Sequence, residues 1–311
     1  MPRLVAVTGA TGFVGPHLLA ALVRHGCRLR LLMRRWSPLP SLVGVDAEIV
    51  WGDLADEPAL RRLVSGADAL VHAGGLIKAR RAADLQRVNR DGTALLAALA
   101  PDLPFLLLSS LVAREPQLSP YAASKRAAEE VLARRGGPWL AVRAPAVYGP
   151  GDRETLAYFR SVARGVAPQP RLAGARLSLI HVADLAEALA LAVKQPPTAA
   201  VYEVDDGHDG GHSYQDMAKA AASALGRRAW SLRVSRRQIG LVAQVNLLRQ
   251  SLGGRAQILT PAKVNEMFHP DWTVHDRRLA EALAFRPRYD LVEGFRDTVA
   301  WYRASKWLSA G

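Results

Sequence analysis

Residues 8–15 read TGATGFVG, with glycines at positions 9, 12 and 15. This stretch follows an apolar run at Leu4–Val7 that is typical of a buried strand, and it opens an amphipathic pattern over Phe13–His25 that is typical of a helix. Glycines at this spacing let the backbone approach a pyrophosphate closely, while the helix N-terminus directs free N–H groups and its positive dipole end at that anion. The stretch therefore predicts a phosphate-binding turn, with a tight turn that binds no ligand as the alternative.

Short apolar runs alternate with helical patterns through the first 150 residues. The runs do not alternate with polar residues, as expected for a sheet covered on both faces, and the order implies right-handed crossovers. The predicted strands are Leu4–Val7, Leu29–Met33, Glu48–Trp51, Ala69–Val71, Phe105–Leu108 and Leu140–Val142. The predicted helices are Phe13–His25, Glu57–Val64, Leu85–Leu99 and Pro120–Arg135. We therefore expect an α/β fold with a doubly wound parallel sheet.

The pattern turns irregular beyond Gly151, although Leu177–Val182 and Val201–Val204 are typical of further strands. A chain of 311 residues agrees with about two domains of ~150 residues each. We expect residues 1–150 to form the nucleotide-binding domain, with 177–206 returning to it. Residues 151–176 and 207–311 are then a smaller, mostly helical, C-terminal substrate domain.

Composition excludes several classes of protein. The single cysteine, Cys27, excludes an intramolecular disulfide and a cysteine-cluster metal site, and we expect no metal. No apolar run reaches the ~18 residues of a membrane span, and the first residues lack the pattern of a signal peptide. These features predict a cytoplasmic protein without a transmembrane segment.

The net charge of +13 comes mainly from arginine, because 35 of the 41 basic residues are arginine. Nucleic-acid binders share such a charge, but here no basic run is longer than two and no aromatic residues are interleaved. We therefore favour a solvated basic surface and expect no nucleic-acid partner. Attraction of anionic substrates or of a lipid surface stays open.

A Y-x-x-x-K pair follows the helix-start signal Ser119-Pro120. Tyr121 and Lys125 stand at i and i+4, so they share one helical face and the ammonium lies beside the phenol. A phenol ordinarily titrates at ~10, and a nearby cation favours its ionised form. Tyr121 is then expected to exchange a proton with a substrate hydroxyl or carbonyl near neutral pH, unless the pair is merely a surface feature.

With both motifs in place, the chain resembles the extended short-chain dehydrogenase/reductase superfamily, whose fingerprint is T-G-x-x-G-x-x-G, over nearly its whole length. The resemblance implies a Rossmann-type fold, an NAD(P) cofactor and a catalytic set of Ser110, Tyr121 and Lys125. Lys125 would also hold the nicotinamide ribose, and Ser110 would hydrogen-bond the substrate oxygen. Ser109 competes for that role, but the register of the family favours Ser110.

The resemblance also implies cofactor contacts at the ends of the predicted strands. Arg34 stands where NAD-preferring members carry an acid, which favours NADP(H) over NAD(H), with Arg35 and Ser37 in reach of a 2′-phosphate. A surface arginine pair is the alternative. His72 and Asn89 are expected to be structural. The predicted cofactor-binding residues are Gly9, Thr11, Gly12, Phe13, Val14, Arg34, Arg35, Asp53, Leu54, Ala73, Gly74, Gly75, Tyr121, Lys125, Pro145 and Val147.

The chain departs from the nucleotide-sugar branch of the superfamily. Ala146 replaces an Asn that holds sugar-nucleotide phosphates, Leu177–Val182 lacks the arginine of the epimerase pattern, and Leu111-Val112 replace the acid pair of the dehydratases. Pro145 instead resembles 3β-hydroxysteroid dehydrogenases and dihydroflavonol-type reductases. The predicted substrate contacts are Lys78, Ser110, Leu111 and Tyr148, with a solvated loop lysine as the alternative for the first.

Three functions therefore stand open. The first is an NADP(H)-dependent oxidoreductase that interconverts a secondary alcohol and a ketone on a fairly apolar small molecule. The second is a nucleotide-sugar epimerase or reductase, which Ala146 disfavours. The third is a non-catalytic cofactor-binding scaffold, which the intact Ser110, Tyr121 and Lys125 set disfavours.

Two surface features complete the expectations. Ile239–Leu252 has few charges, and Ile239, Val242, Val245 and Leu252 stand at helical spacing. We favour a helix that packs on the core, with a lid over an apolar substrate or a weak membrane-surface contact as the alternative. Relatives in the superfamily often form homodimers through the helices that are predicted here at Leu85–Leu99 and Pro120–Arg135.

Overall fold

The structure is a computed structural model that describes residues 3–35, 47–194, 199–251, 256–257 and 259–309. The predictions for Ser37 and Leu252 lie outside these residues. In chain order, the strands are β1 Leu4–Thr8, β2 Arg28–Met33, β3 Ala47–Trp51, β4 Ala69–His72, β5 Phe105–Ser110, β6 Trp139–Ala144, β7 Ala146–Tyr148, β8 Val166–Pro170, β9 Arg176–Leu177, β10 Leu179–His181, β11 Ala200–Glu203, β12 His212–Ser213, β13 Trp230–Val234 and β14 Asp271–Trp272.

The helices, also in chain order, are α1 Gly15–Arg24, α2 Glu57–Val64, α3 Ala82–Leu85, α4 Gly92–Leu99, α5 Pro120–Arg135, α6 Leu156–Ala163, α7 Val182–Lys194, α8 Tyr214–Leu225, α9 Arg236–Ser251, α10 Pro261–Met267, α11 Arg278–Ala282 and α12 Leu291–Ala304. A π-helical turn at Gln86–Asp91 joins α3 to α4, and two 3₁₀ turns, Leu111–Arg114 and Pro116–Leu118, join β5 to α5. No helix of the described residues is long and apolar enough to cross a bilayer.

A seven-stranded parallel sheet in the order β11-β6-β5-β4-β1-β2-β3 forms the centre of the fold. The prediction of an α/β fold with a parallel sheet is confirmed. The chain runs outward from β1 in both directions, so β1 and β4 flank the point where the strand order reverses. Ligands of open α/β sheets bind outside the carboxyl ends of the strands at this point.

Helices cover both faces of the sheet, as the unbroken apolar strands predicted. On one face α1 and α7 pack against the sheet through Leu18, Leu22, Leu185 and Leu189, which are all fully buried. On the other face α2, α4 and α5 contribute Leu60, Leu63, Leu96 and Leu132. Each helix thus buries one apolar stripe.

The later part of the chain has its own apolar cluster, built by α6, α8 and α12 around Phe159, Phe295 and Tyr302. Short strand pairs surround it: β10 with β7, β13 with β8, and β9 between β12 and β14. The segment 177–206 contacts the first part of the chain, since β10 pairs with β7 and β11 with β6. The division into two domains stays a prediction.

Three sequence-based expectations need correction. The first helix begins at Gly15, because residues 9–14 form the turn. Leu177–Val182 is not one strand, because β9 ends at Leu177, β10 covers Leu179–His181 and α7 begins at Val182.

The third correction concerns α9. Two of its residues that were predicted to pack on the core are instead exposed. Val242 and Val245 are 52% and 43% exposed. The buried side of α9 instead holds Ala243 and the polar Gln250.

Candidate active site

The glycine turn after β1 is packed so closely that side chains cannot enter it. Gly9 has a φ of +82°, and a Cβ there would lie 2.5 Å from the carbonyl carbon of Ala73. The Gly12 N–H donates to the Gly9 carbonyl at 3.0 Å, and a Cβ on Gly15 would collide with the Ala10 carbonyl. Thr11 and Gly12 lie exposed in front of α1, whose first turn has no side-chain cap. This cradle of backbone at a helix N-terminus fits a dinucleotide pyrophosphate.

His72 holds the loop after β4 in place through a chain of hydrogen bonds, in which each group donates to the next. The Thr93 hydroxyl donates to the Asn89 carbonyl at 2.6 Å, so its oxygen is left to accept from His72 Nε2 at 3.1 Å. His72 Nδ1 then accepts from the Thr8 hydroxyl at 2.6 Å, and the Thr8 oxygen accepts from the Gly74 N–H at 3.1 Å. Burial lowers the pKa of His72 to about 3, and the Lys125 charge adds to this. The neutral ring therefore has a structural role, which agrees with the interpretation from sequence.

Asn89 uses its whole side-chain amide in a similar way. Its Nδ2 donates to the Leu76 carbonyl at 2.9 Å and to Ser124 Oγ at 2.8 Å, and its Oδ1 accepts from the Leu76 N–H at 2.7 Å. Ser124 in turn donates to the Tyr121 carbonyl at 2.8 Å. The π-helical turn that carries Asn89 thereby fixes the loop after β4 to the first turn of α5.

Tyr121 lies in the first turn of α5 because the sequence begins that helix firmly. Ser119 caps the helix by accepting from the Ala122 N–H at 3.0 Å, and Pro120 fits the first turn, where its missing N–H costs nothing. The Tyr121 phenol hydrogen-bonds the side chain of Ser110 at the end of β5. These two hydroxyls are therefore brought together as the sequence predicted.

The structure separates Ser110 from Ser109. Successive residues of a strand point to opposite sides, and Ser109 is buried with its hydroxyl donating to Glu129 at 2.5 Å. Glu129 also pairs with Arg143 through two hydrogen bonds of 2.9 and 2.7 Å. Ser110 alone of the two lines the cavity beside Tyr121.

Lys125 is buried behind Tyr121 on the same helix. Its Nζ donates to the Leu108 carbonyl at 2.7 Å. Burial lowers the pKa of Lys125 to about 8, against the opposing effect of Glu129. The charged and neutral forms of this amine therefore exchange close to physiological pH.

The sequence predicted a lowered pKa for Tyr121, but the protein's own groups raise it. Burial raises the pKa of Tyr121 to about 12, the hydrogen bond with Ser110 opposes the rise, and the charge of Glu266 adds to it. The phenol is thus held protonated at neutral pH, because desolvation outweighs any favourable charge.

Ser110 and Tyr121 line a cavity of about 250 Å³ whose walls are mainly apolar. Its apolar lining residues are Leu111, Val112, Pro145, Ala146, Leu177, Met267 and Trp272. Ser178, Tyr214, Lys263 and Glu266 complete the lining. Of the predicted substrate contacts, Ser110 and Leu111 are in this cavity.

Sequence reasoning missed the wall that α10 contributes. Glu266 is buried and accepts from the Ser119 hydroxyl and, at 2.6 Å, from Lys263 Nζ, while its carbonyl accepts from Trp272 Nε1 at 2.8 Å. The signal was present, because Thr260-Pro261 is a helix start and Glu266 is the only acidic residue between Asp216 and Asp271. Nothing in the sequence, however, joined α10 to α5.

Two other predicted substrate residues lie elsewhere. Lys78 Nζ forms an ion pair of 3.1 Å with Glu154, with both side chains about two-fifths exposed, as expected of a solvated loop lysine. Tyr148 is 1% exposed and packs in the core against Phe295 and His181. These placements give the predicted substrate contacts of Lys78 and Tyr148 no support.

The remaining predicted cofactor residues lie at or beyond the carboxyl ends of the strands. Arg34 and Arg35 follow β2 and are exposed, and neither guanidinium has an ion-pair partner among the described residues. Asp53 follows β3, where its carboxylate accepts from the Ala55 N–H at 2.8 Å.

The other predicted cofactor residues are apolar or glycine. Leu54 packs beside Gly92, and Ala73 and Gly74 face Gly9. Phe13 lies beside Gly151, and Val14 occupies the N-cap position of α1. Gly75 faces Asn89, Pro145 lines the cavity, and Val147 pairs with Ile180.

Comparison with known proteins places this site in a family. Residues 5–204 match the NAD dependent epimerase/dehydratase family. The chain is 39% identical over 307 residues to a ceramide reductase of Caulobacter vibrioides, covering 98% of this chain and 96% of that protein. It is 29% identical over 226 residues to the 4-hydroxy-2-methyl-3-oxo-4-farnesyl-3,4-dihydroquinoline-1-oxide ketoreductase of Stigmatella aurantiaca, covering 65% and 67% of the two chains.

Among solved structures, the crystal structure of gox2253 superposes with a TM-score of 0.78 at 23% identity, covering 98% of this chain and 99% of that chain, which shows a shared fold. The resemblance to extended short-chain dehydrogenases/reductases is thereby confirmed. The chain belongs to the NAD dependent epimerase/dehydratase family and is an NAD(P)-dependent oxidoreductase of the extended short-chain dehydrogenase/reductase type.

Proposed function

We propose that the protein reduces a ketone to a secondary alcohol on a long-chain, largely apolar molecule, with NADP(H) preferred over NAD(H). The observation that carries the proposal is the cavity in which Ser110 and Tyr121 stand among mainly apolar walls. An apolar ketone gains ~25 cal/mol per Å² by burying its surface there. A sugar diphosphate would meet a single cation, Lys263, among the described lining residues, and burying its charge unpaired is costly.

The residues around the glycine turn fit the cofactor. The backbone of Gly9–Gly12 and the open N-terminus of α1 would hold the pyrophosphate, and Arg34 would pair with a 2′-phosphate. Arg34 is exposed and has no ion-pair partner in the described part of the chain, which supports this role, since a guanidinium that already had a carboxylate partner would have less to offer. When bound, the cofactor supplies the hydride.

The protein's own groups favour the reductive direction. A phenol with a pKa of about 12 is protonated at neutral pH, so Tyr121 can give its proton to the ketone oxygen while the carbonyl carbon takes the hydride. Ser110 donates a hydrogen bond to the same oxygen and stabilises the charge that develops there. The Lys125 ammonium lies on the same helical face and stabilises the phenolate that is left, which then regains a proton from water.

The names of the relatives suggest the substrate class. One is a ceramide reductase and another is a ketoreductase of a farnesyl-bearing ring, so each name joins reduction to a molecule with a long apolar group. For this chain we propose a ketone beside the amide of a ceramide-type lipid. The Lys263–Glu266 pair offers a donor and an acceptor to the polar end of such a molecule, and the apolar wall lies around it.

A substrate panel tests the proposal. Purified protein is mixed with NADPH and either a long-chain 2-acylamino ketone, a plain long-chain ketone or UDP-glucose, and NADPH absorbance is followed. We expect oxidation of NADPH with the 2-acylamino ketone and loss of that rate in Tyr121→Phe, while Tyr214→Phe in the same cavity keeps most of it. Epimerisation of UDP-glucose would favour the nucleotide-sugar alternative instead. The cytoplasmic location and the homodimer stay predictions.

A further inference from the structure

Helix α9 turns its aliphatic side chains outward. Leu241, Val245 and Leu248 are 70%, 43% and 60% exposed, and they stand at i, i+4 and i+7, which places them on one stripe. Helices of globular proteins ordinarily bury such a stripe and expose the polar one. We call these three residues the α9 stripe.

Hydrogen bonds of the amide side chains on the opposite face hold this orientation. Asn246 Nδ2 donates to the Leu259 carbonyl at 3.1 Å, and Gln250 Nε2 donates to the Arg80 carbonyl at 3.1 Å. Gln250 Oε1 also accepts from the Gln257 N–H at 2.9 Å. These contacts of the half-buried Asn246 and the buried Gln250 fix the rotation of α9, so the stripe faces outward in the folded protein.

Positive charge surrounds the stripe. Between Asp216 and Glu266 the chain carries nine basic residues and no acidic residue. Arg237 and Arg249 are exposed and border the stripe on either side, as their helical positions require. Neither guanidinium has an ion-pair partner among the residues that the structure describes.

A cavity of about 360 Å³ opens at the carboxyl end of the same helix. It is lined by Arg80, Arg81, Asp84, Leu247, Gln250 and Ser251. Asp84 pairs with Arg87 at 2.9 Å, so within the described residues Arg80 and Arg81 keep their guanidinium groups for another anion. The apolar stripe thus lies beside a pocket suited to a phosphate group.

We propose that α9 docks the protein on an anionic lipid surface, with the α9 stripe entering the acyl boundary and the surrounding arginines binding lipid phosphates. Helices that expose aliphatic side chains beside arginines contact the membrane interface in this way. A second copy of the chain fits the stripe less well, because a symmetric contact would bring the same unpaired arginines against each other.

Docking through α9 would bring the active-site cavity close to the lipid. Arg236 Nη2 of α9 donates to Asn265 Oδ1 of α10 at 2.5 Å, and α10 carries Glu266 and Met267 into the cavity wall. A lipid-borne substrate would then have a short path to Tyr121. The docking proposal itself stands on surface and charge, and its test does not depend on turnover.

Vesicle sedimentation with the full chain tests it. We expect binding to phosphatidylcholine–phosphatidylglycerol vesicles, weaker binding at high salt and little binding to phosphatidylcholine alone. The triple variant Leu241→Gln/Val245→Gln/Leu248→Gln and the double variant Arg237→Gln/Arg249→Gln should each lower the partition coefficient by about tenfold or more. The matched controls Val292→Gln and Arg296→Gln, both exposed on α12, should bind as wild type does.

Each outcome decides the proposal. Unchanged vesicle binding by the stripe variant, or no binding by wild type to the anionic vesicles, overturns it. A wild-type dimer in light scattering that the stripe variant converts to monomer, without vesicle binding, assigns the stripe to a second copy and also overturns it. Thermal unfolding at the wild-type midpoint confirms that each variant folds, and NADPH oxidation with a water-soluble ketone reports separately on the proposed catalysis.

Discussion

Tyr121 and Glu266, from helices far apart in the sequence, line one cavity in which burial raises the pKa of Tyr121 to about 12 and the charge of Glu266 adds to the rise. Glu266 is held in place by Lys263 and by Ser119, the residue that caps the helix of Tyr121. The α10 wall thus acts on the proton donor both through charge and through the start of its helix. Glu266 is a positioning residue in this arrangement.

Replacing Glu266 with Gln should lower the pKa of Tyr121, because a negative charge that disfavours the phenolate is removed and Lys263 is left uncompensated. In the oxidative direction, which needs phenolate, the alkaline rise of kcat/KM should therefore move to lower pH by on the order of one unit. The measurement is a pH–rate profile for the alcohol with NADP⁺.

Glu130→Gln is the control for this shift. Glu130 lies on α5 as Tyr121 does, but it is about half exposed and pairs with Arg126. Its substitution should leave the profile in place. An equal shift in both variants, or none in Glu266→Gln, would show that the carboxylate in the cavity does not act on the phenol.

Tyr121→Phe should abolish turnover and leave cofactor affinity near wild type, because in the proposed mechanism the hydroxyl donates the proton and does not anchor the cofactor. Lys125→Ala should weaken both. Single-turnover kinetics and NADPH titration separate the two effects. Retention of more than about a tenth of the rate in Tyr121→Phe, against the usual ~10²–10⁴-fold loss, would contradict the catalytic role, unless product release limits the rate.

The sequence predicted the parts of the fold that local physics determines. The glycine turn, the cap at Ser119 and the apolar strands of the first 150 residues are each short patterns with one favoured structure, and they appear where expected. The π-helical turn at Gln86–Asp91 was not predicted. It has no short sequence pattern of its own. The side-chain hydrogen bonds of Asn89 that hold it reach Leu76 in the loop after β4 and Ser124 in α5.

The site was less predictable where it depends on long-range packing. The nearness of Glu266 to Tyr121 requires the tertiary placement of α10, which no spacing in the sequence encodes. The same limit explains the Tyr121 pKa, since the i, i+4 rule revealed the nearby cation but not the extent of burial. For α9, the apolar residues were recognised but their direction was not, because the hydrogen bonds of the amides of Asn246 and Gln250 outweigh the aliphatic pattern.

The position of Arg34 after β2 predicts a preference for NADP(H) over NAD(H). A charge-assisted contact with the 2′-phosphate is worth ~1.5–3 kcal/mol, which is roughly tenfold or more in Kd. Titration of both cofactors against wild type and Arg34→Ala measures it, with the exposed Arg62→Ala on α2 as control. Equal affinities in wild type, or a preference that survives Arg34→Ala, would remove Arg34 from the cofactor site.

His72 should make the fold sensitive to acid. Burial, with the charge of Lys125 adding, lowers its pKa from 6.5 to about 3, so between these values the unfolded chain binds a proton that the folded chain does not. Stability is therefore fully present above pH 6.5 and lost as the pH falls, by up to about 1.4 kcal/mol per unit. Urea unfolding should show His72→Gln less stable than wild type near pH 7.5, with the difference shrinking toward pH 4. A difference that stays constant over this pH range would contradict this role.

The walls of the cavity favour an apolar ketone over a nucleotide sugar as the substrate. The apolar Ala146 stands in the cavity wall, and no arginine is among the described lining residues. With NADPH bound, UDP-glucose and dTDP-glucose should therefore leave the thermal unfolding midpoint unchanged. A long-chain 2-acylamino ketone or its alcohol should raise it, since a ligand at a hundred times its Kd adds ~2.7 kcal/mol to the stability of the folded state. The control is Ala146→Asp, whose carboxylate in the cavity wall should weaken the protection by the apolar ligand without creating any by the nucleotide sugars. Protection of the wild type by micromolar UDP-glucose would mean that arginines outside the cavity reach the diphosphate, and the epimerase alternative would then replace the reductase proposed here.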